Sequence, residues 1–200
     1  MHRCLVGLTI LATSVFAADI QLPAPVKTGG MPLMEALAAR QSQRTFSSQP
    51  LSEQQLANLL WAACGINRES GKRTAPTARN AQEIDVYVAL TSGLYRYDAP
   101  ANKLVQILET DIREDVGNAP FTQQAPVGLI YVADAAKLKS EVFQATDTGY
   151  ISQNVYLFCA SEKMSTVVLG GFNREKLSGI LKLTPEQTII LTQPVGFPRE

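Results

Sequence analysis

The chain has 200 residues, 46% of them hydrophobic and 18% charged, with 18 basic side chains against 18 acidic ones. That is enough apolar material for one globular domain with a real core. The balanced charge excludes the electrostatic footprint of a nucleic-acid binder, and no charge block or low-complexity tract marks a disordered tail.

In chain order, His2-Arg3, an apolar run from Leu5 to Phe16 and the small residues Ala17-Ala18 predict a secretory signal over residues 1–17. The alternative, a membrane anchor, needs roughly 20 apolar residues. The expected location is therefore outside the cytoplasm, in the periplasm; if residues 1–17 are not a signal, the chain is cytoplasmic. Cleavage removes His2, the only histidine. The mature chain then lacks Ser-His or Cys-His nucleophiles and histidine metal sites, and no metal site is expected. Cys64 and Cys159 remain. An exported protein could pair them, and two small buried thiols fit equally well.

Residues 18–30, with Leu22-Pro-Ala-Pro25 and Gly29-Gly30, read as an extended arm, and residues 31–200 as a single domain. Pro32 opens a helix through Leu33, Met34, Ala36, Leu37 and Ala38. Ser52, with Gln55 three residues on, predicts a capping box for a second helix that buries Leu56, Leu59, Leu60 and Ala63 and gives out near Gly65. Ile84–Leu90 reads as a strand, and 93–98 with 103–108 as a hairpin about Pro100-Ala-Asn102. Asp111 begins a short helix. Its acid-rich neighbourhood (Glu109, Asp111, Glu114, Asp115) reads as a solvated face. Pro126–Val132 is a central strand buried on both faces. A long helix is expected from Asp147 to Lys163, a strand over 166–169, a helix from the cap Asn173 to Leu181, and a last strand over Gln187–Thr192. Helices flanking a mainly antiparallel sheet make this α+β.

Three segments carry chemistry. Arg40, Ser42 and Arg44 alternate, so an extended backbone turns both guanidinium groups and the hydroxyl to one side, as a phosphate requires. Dipole compensation at a helix end is the alternative. In Pro76-Thr-Ala-Arg-Asn-Ala-Gln82, Thr77 caps a turn and Asn80 offers an amide donor and acceptor to a flavin or nucleobase edge; a plain turn explains the same residues. Gly170-Gly171 allows backbone N–H groups to approach a flat ligand, though the pair matches neither GxGxxG nor a P-loop.

Arg-x-Ser-x-Arg followed by Phe46, then Pro-Thr-x-x-Asn-x-Gln before a strand, then a glycine pair after a long helix, resembles the nitroreductase family of flavoproteins from about Leu22 to Pro198. The Leu22 arm, Gly93-Leu-Tyr-Arg-Tyr-Asp98 and Asp147-x-Gly-Tyr-Ile-Ser-Gln-Asn154 are similar to the branch that includes azoline-oxidising dehydrogenases. The resemblance implies FMN in a homodimer, each flavin contacted by both chains. It implies that Arg40 and Ser42 hold the phosphate, Arg44 approaches the N1/O2 edge, Asn80 meets the pyrimidine edge with Thr77 shaping its loop, Gly170 places an N–H near N5, and Gly171 allows close packing. Arg199 is the one basic residue after the Gly-x-Pro segment. The expected activity is ping-pong hydride transfer between FMN and a small unsaturated molecule such as a nitroaromatic or quinone, with NAD(P)H as a donor. Substrate dehydrogenation with reoxidation by oxygen or quinone, and flavin binding without turnover, are the alternatives.

Overall fold

The structure is a computed structural model that describes residues 18–199; the expected signal segment, residues 1–17, lies outside the described residues. Seven strands form one antiparallel sheet: β1 (Ile20–Gln21), β2 (Ile84–Leu90), β3 (Gly93–Asp98), β4 (Lys103–Leu108), β5 (Val127–Asp134), β6 (Ser165–Thr166) and β7 (Gln187–Gly196), in the order β1-β4-β3-β2-β5-β7-β6. The helices are α1 (Leu33–Ala39), α2 (Glu53–Cys64), α3 (Phe121–Gln124), α4 (Glu141–Ser161) and α5 (Arg174–Leu181), with 3₁₀ turns at Ala78–Asn80 and Arg113–Val116.

Side-chain alternation divides the core between the two sheet faces. Val86 and Val88 of β2 with Leu129 and Tyr131 of β5 meet α2 and α4 through Leu59, Leu60, Ile151 and Val155. Tyr87 and Ala89 with Ile130 and Val132 meet Leu177 and Leu181 of α5 on the other face. Central β5 is accordingly buried from Val127 to Ala133, as its unbroken apolar run predicts. Its Tyr131 hydroxyl donates to Gln193 Oε1 of β7 at 2.6 Å, so this buried polar tip is satisfied.

The capping box of α2 is present: Gln55 N–H donates to Ser52 Oγ at 3.2 Å and Ser52 N–H to Gln55 Oε1 at 2.9 Å. Gly65 ends the helix in extended rather than left-handed backbone. Glycine is required there because a Cβ would lie 2.4 Å from the Trp61 ring.

Several boundaries differ from the sequence reading. Helix α4 starts at Glu141, with Ser140 as cap, six residues before the expected Asp147. Asp147, the expected first residue, sits buried inside the helix, its carboxylate serving a neighbouring loop. Strand β7 runs past Thr192 through Pro194, whose carbonyl accepts from Thr166 Oγ1 at 2.9 Å. The strand expected over 166–169 is a two-residue pairing, Ser165–Thr166, plus a bridge between Leu169 and Thr192. The helix expected at Asp111 is a 3₁₀ turn, and the acidic stretch is ion-paired: Asp111 with Arg113 and Asp115 with Lys176, both at 2.6 Å.

The arm is pinned along its length. Ile20 pairs with Leu104, Asn102 Nδ2 donates to the Leu22 and Pro23 carbonyls, Val26 N–H donates to Asn58 of α2, and Met31 N–H donates to Ser161 of α4 at 2.7 Å. Cys64 and Cys159 are free, buried thiols, and burial pushes Cys64 up to about 11 and Cys159 further above its ordinary range. Among the described residues, no helix is long and apolar enough to cross a membrane, and no cluster has metal-ligand spacing.

Candidate functional site

Residues 40–47 leave α1 as extended chain along the β6 edge of the sheet. Gln43 anchors this segment: its N–H donates to Thr166 O at 2.9 Å and its Oε1 accepts from Ser165 Oγ at 3.2 Å. Arg40 and Ser42 both reach Tyr156 of α4. Ser42 Oγ lies 2.9 Å from the Tyr156 hydroxyl of α4, and the Arg40 guanidinium rests 5.3 Å from the Tyr156 ring centre. Arg44 is exposed. Among the described residues neither arginine has a carboxylate partner, so the cluster is uncompensated positive charge. An anion with several acceptor oxygens suits it.

Tyr156 also joins this cluster to the glycine pair. Its hydroxyl accepts the Val168 N–H at 2.9 Å, and Leu169 then exchanges both backbone bonds with Thr192. This fixes the chain as it enters Gly170 and Gly171, both exposed. Neither glycine N–H meets an acceptor among the described residues. The nearest atom to a Cβ at Gly170 would be Leu191 Cδ2 at 3.9 Å, so the space over it is open to a ligand. Nothing in the sequence singled out Tyr156: an aromatic residue on a long apolar helix reads as core.

The third segment is held differently. Arg79, Asn80 and Gln82 have φ of 56°, 55° and 50°, in left-handed backbone. Each such residue costs about 1 kcal/mol, least for asparagine, and persists only where neighbours impose it. Here Gln82 N–H donates to Thr77 Oγ1 at 3.1 Å, and Arg73 Nε donates to Gln82 Oε1 at 2.9 Å. Gln82 Nε2 in turn donates to the Gly71 carbonyl at 3.1 Å and approaches Asn80 Oδ1 at 3.4 Å. From α4, Asp147 Oδ2 accepts the Ala78 N–H at 2.8 Å. Beside Asp147, burial pushes the Glu83 carboxyl up to about 7.

One chain therefore brings Arg40, Ser42 and Gly170 to a common flank, around Tyr156. It sets Thr77 and Asn80 on another, around Asp147. Asp147 and Tyr156 are nine residues apart on α4, which is half a turn around the helix and about 13 Å along it. Three cavities of about 610, 640 and 650 Å³ are lined by other residues, while Ser42, Arg44, Asn80 and Gly170 are exposed at the surface. Arg199 lies with Ser47, Ser48 and Arg113 in the third of these, at the far end of the extended segment from Ser42.

The model of the "Nitroreductase family" matches residues 37–197. A nitroreductase-named protein of Methanocaldococcus jannaschii is 28% identical over 194 residues, covering 89% of this chain and 96% of that one. The crystal structure of a nitroreductase-named protein from Ralstonia eutropha is 39% identical with a TM-score of 0.87, covering 99% of this chain and 97% of that one. One from Desulfovibrio desulfuricans, solved in complex with FMN, shares the fold at 19% identity and a TM-score of 0.65, covering 86% and 89%. With four-fifths of its length matched, the chain belongs to the nitroreductase family of flavin-dependent oxidoreductases.

Proposed function

We propose that the cofactor is FMN and that it is bound between two copies of the chain. The observation that carries this reading is the uncompensated Arg40-Ser42-Arg44 cluster beside the unbonded N–H groups of Gly170 and Gly171. Arg40 and Ser42 hold the phosphate. Arg44 brings positive charge to the N1/O2 edge, where it stabilises the anionic reduced ring and raises its potential. The Gly170 N–H faces N5, and Gly171 leaves room for the ring. Thr77 and Asn80, whose loop is tied to α4 at Asp147, half a turn around that helix from Tyr156, reach the pyrimidine edge from the partner chain.

The exposed apolar face supports that assembly. Leu33, Met34 and Leu37 of α1 are 63%, 75% and 44% exposed, and Val142, Phe143 and Tyr150 of α4 are 72%, 41% and 45% exposed. An apolar strip of this kind on two adjacent helices fits a second copy.

Bound FMN supplies hydride chemistry at its ring, so no side chain is required as nucleophile or metal ligand. The reaction proposed is ping-pong reduction of a small nitroaromatic, quinone or similar acceptor, with NAD(P)H as donor. Export of the chain favours a second reading, oxidation of a substrate with the flavin reoxidised by oxygen or quinone, because nicotinamide cofactors are cytosolic. Expressed from Met1 in a Gram-negative host, the protein is expected in the periplasm with Ala18 as its first residue. Full-length protein confined to the cytoplasm would contradict export.

FMN binding is tested by fluorescence titration of flavin-free protein. Arg40→Ala should weaken FMN by about 1.5–3 kcal/mol, the value of a charge-assisted hydrogen bond, while Arg96→Ala, an exposed arginine on β3, leaves it unchanged. Equal losses would place the anion site elsewhere.

A further inference from the structure

The flavin reading leaves one buried acid unused. Glu83 lies between the Thr77–Gln82 loop and the first residue of β2, is fully buried, and neither carboxyl oxygen meets a hydrogen-bond donor. Its neighbour is the Asp147 carboxyl of α4, 2% exposed, whose Oδ2 already accepts from Ala78. A carboxylate only accepts hydrogen bonds, so two adjoining carboxyl groups are satisfied together only when one carries a proton.

The charged groups of the surrounding elements are engaged elsewhere. Lys137, after β5, bonds Asp85 of β2 at 3.2 Å and exerts only a weak opposing attraction on Glu83. Arg73 is committed to Gln82 Oε1 and the Cys64 carbonyl. Asp134 Oδ1 accepts from Ala136, and Gln144, a turn before Asp147, donates to Leu138 O.

We propose that Glu83 and Asp147 form a proton-operated latch on the Thr77–Gln82 loop. With one proton on the pair, Glu83 donates to Asp147, and α4 keeps its hold on the Ala78 N–H. When that proton leaves to solvent, two buried like charges adjoin and separate, and the loop loses its tie to α4. Arg79 and Asn80, held in left-handed backbone next to the bonded Ala78, then lose the tie to α4 that helps to impose it, while Gln82 keeps its bonds to Thr77, Arg73 and Gly71. Glu83 is thus a positioning residue that acts on Asn80 through Asp147. The consequence for cofactor rests on the flavin reading; release of the loop does not. Burial and the adjoining Asp147 put the transition near neutrality.

The test compares wild type with Glu83→Gln, whose amide donates at every pH and cannot ionise. FMN affinity is titrated at pH 6 and 8.5, and hydrogen exchange of the Ala78 amide is followed in flavin-free protein. Relative to Glu83→Gln, which corrects for titration of the FMN phosphate, wild type should lose roughly tenfold in affinity and in Ala78 protection at the higher pH, the value of one lost hydrogen bond to a charged group. Identical pH behaviour of the two proteins overturns the latch. If FMN fails to bind at either pH while Ala78 protection still follows pH, the flavin reading fails and the latch stands. Carbon-13 NMR of the glutamate carboxyls in wild type needs no variant. One carboxyl titrating near neutrality supports the latch, and a full set titrating in the ordinary range of about 4.3 overturns it.

Discussion

Ser42, Arg40 and Val168 come from two separate stretches of chain, and each touches the same tyrosine on a third. Tyr156 gives a hydroxyl to two of them and a ring face to the other, so the Arg40-Ser42 cluster and the chain entering Gly170 share one reference. The arginines and Ser42 were legible because alternate spacing has only one geometric meaning in extended chain. Tyr156 was not, because its role depends on partners 114 and 12 residues away. Glu83 reads in sequence as an ordinary charge at a strand start, and only tertiary contact with Asp147 gives it its character. That character has a sign. Burial lifts it from the ordinary glutamate value of 4.5 to about 7, so the folded chain holds this proton more tightly than the unfolded chain. The contribution to stability is complete below about 4.5, declines as pH rises, and is gone above about 7. Wild-type Tm, measured by circular dichroism against Glu83→Gln, should therefore fall from pH 5 to pH 8 while the variant's stays level. Parallel curves would remove Glu83 as the cause.

At the scale of elements, local signals found every major helix and strand, and tertiary contacts decided where they end. The capping box of α2 is complete within four residues, and the structure keeps it. Helix α4 begins six residues earlier than expected because Ser140 caps it, and the buried Asp147 inside it bonds the Ala78 loop. Strand β7 crosses Pro194, a breaker in isolation, with β5 and β6 on its two sides. The two-residue β1 has no local signature; its pairing with β4 and the clamps on Leu22 and Pro23 define it. The same limit applied to Cys64 and Cys159, whose shared burial in one core follows from packing that spacing alone does not reveal.

For the whole molecule, the division of the candidate site across α4 is the dominant fact. Each motif was legible in sequence, and their separation was not, since it follows from helix phase over nine residues. A single chain presents an uncompensated cationic half and an amide half on different flanks of α4, and exposes apolar side chains on α1 and α4. In the assembly we propose, two copies supply what one lacks. The decisive measurement is complementation: Arg40→Ala and Asn80→Ala proteins are prepared separately, each expected to bind FMN poorly, then mixed, allowed to exchange subunits, and titrated with FMN. If the halves come from different chains, the mixed dimer contains one intact site and one doubly defective site, and strong binding returns at about one FMN per two mixed dimer chains. If both halves act within one chain, every site in the mixture carries one defect, and affinity stays as low as in the separate variants.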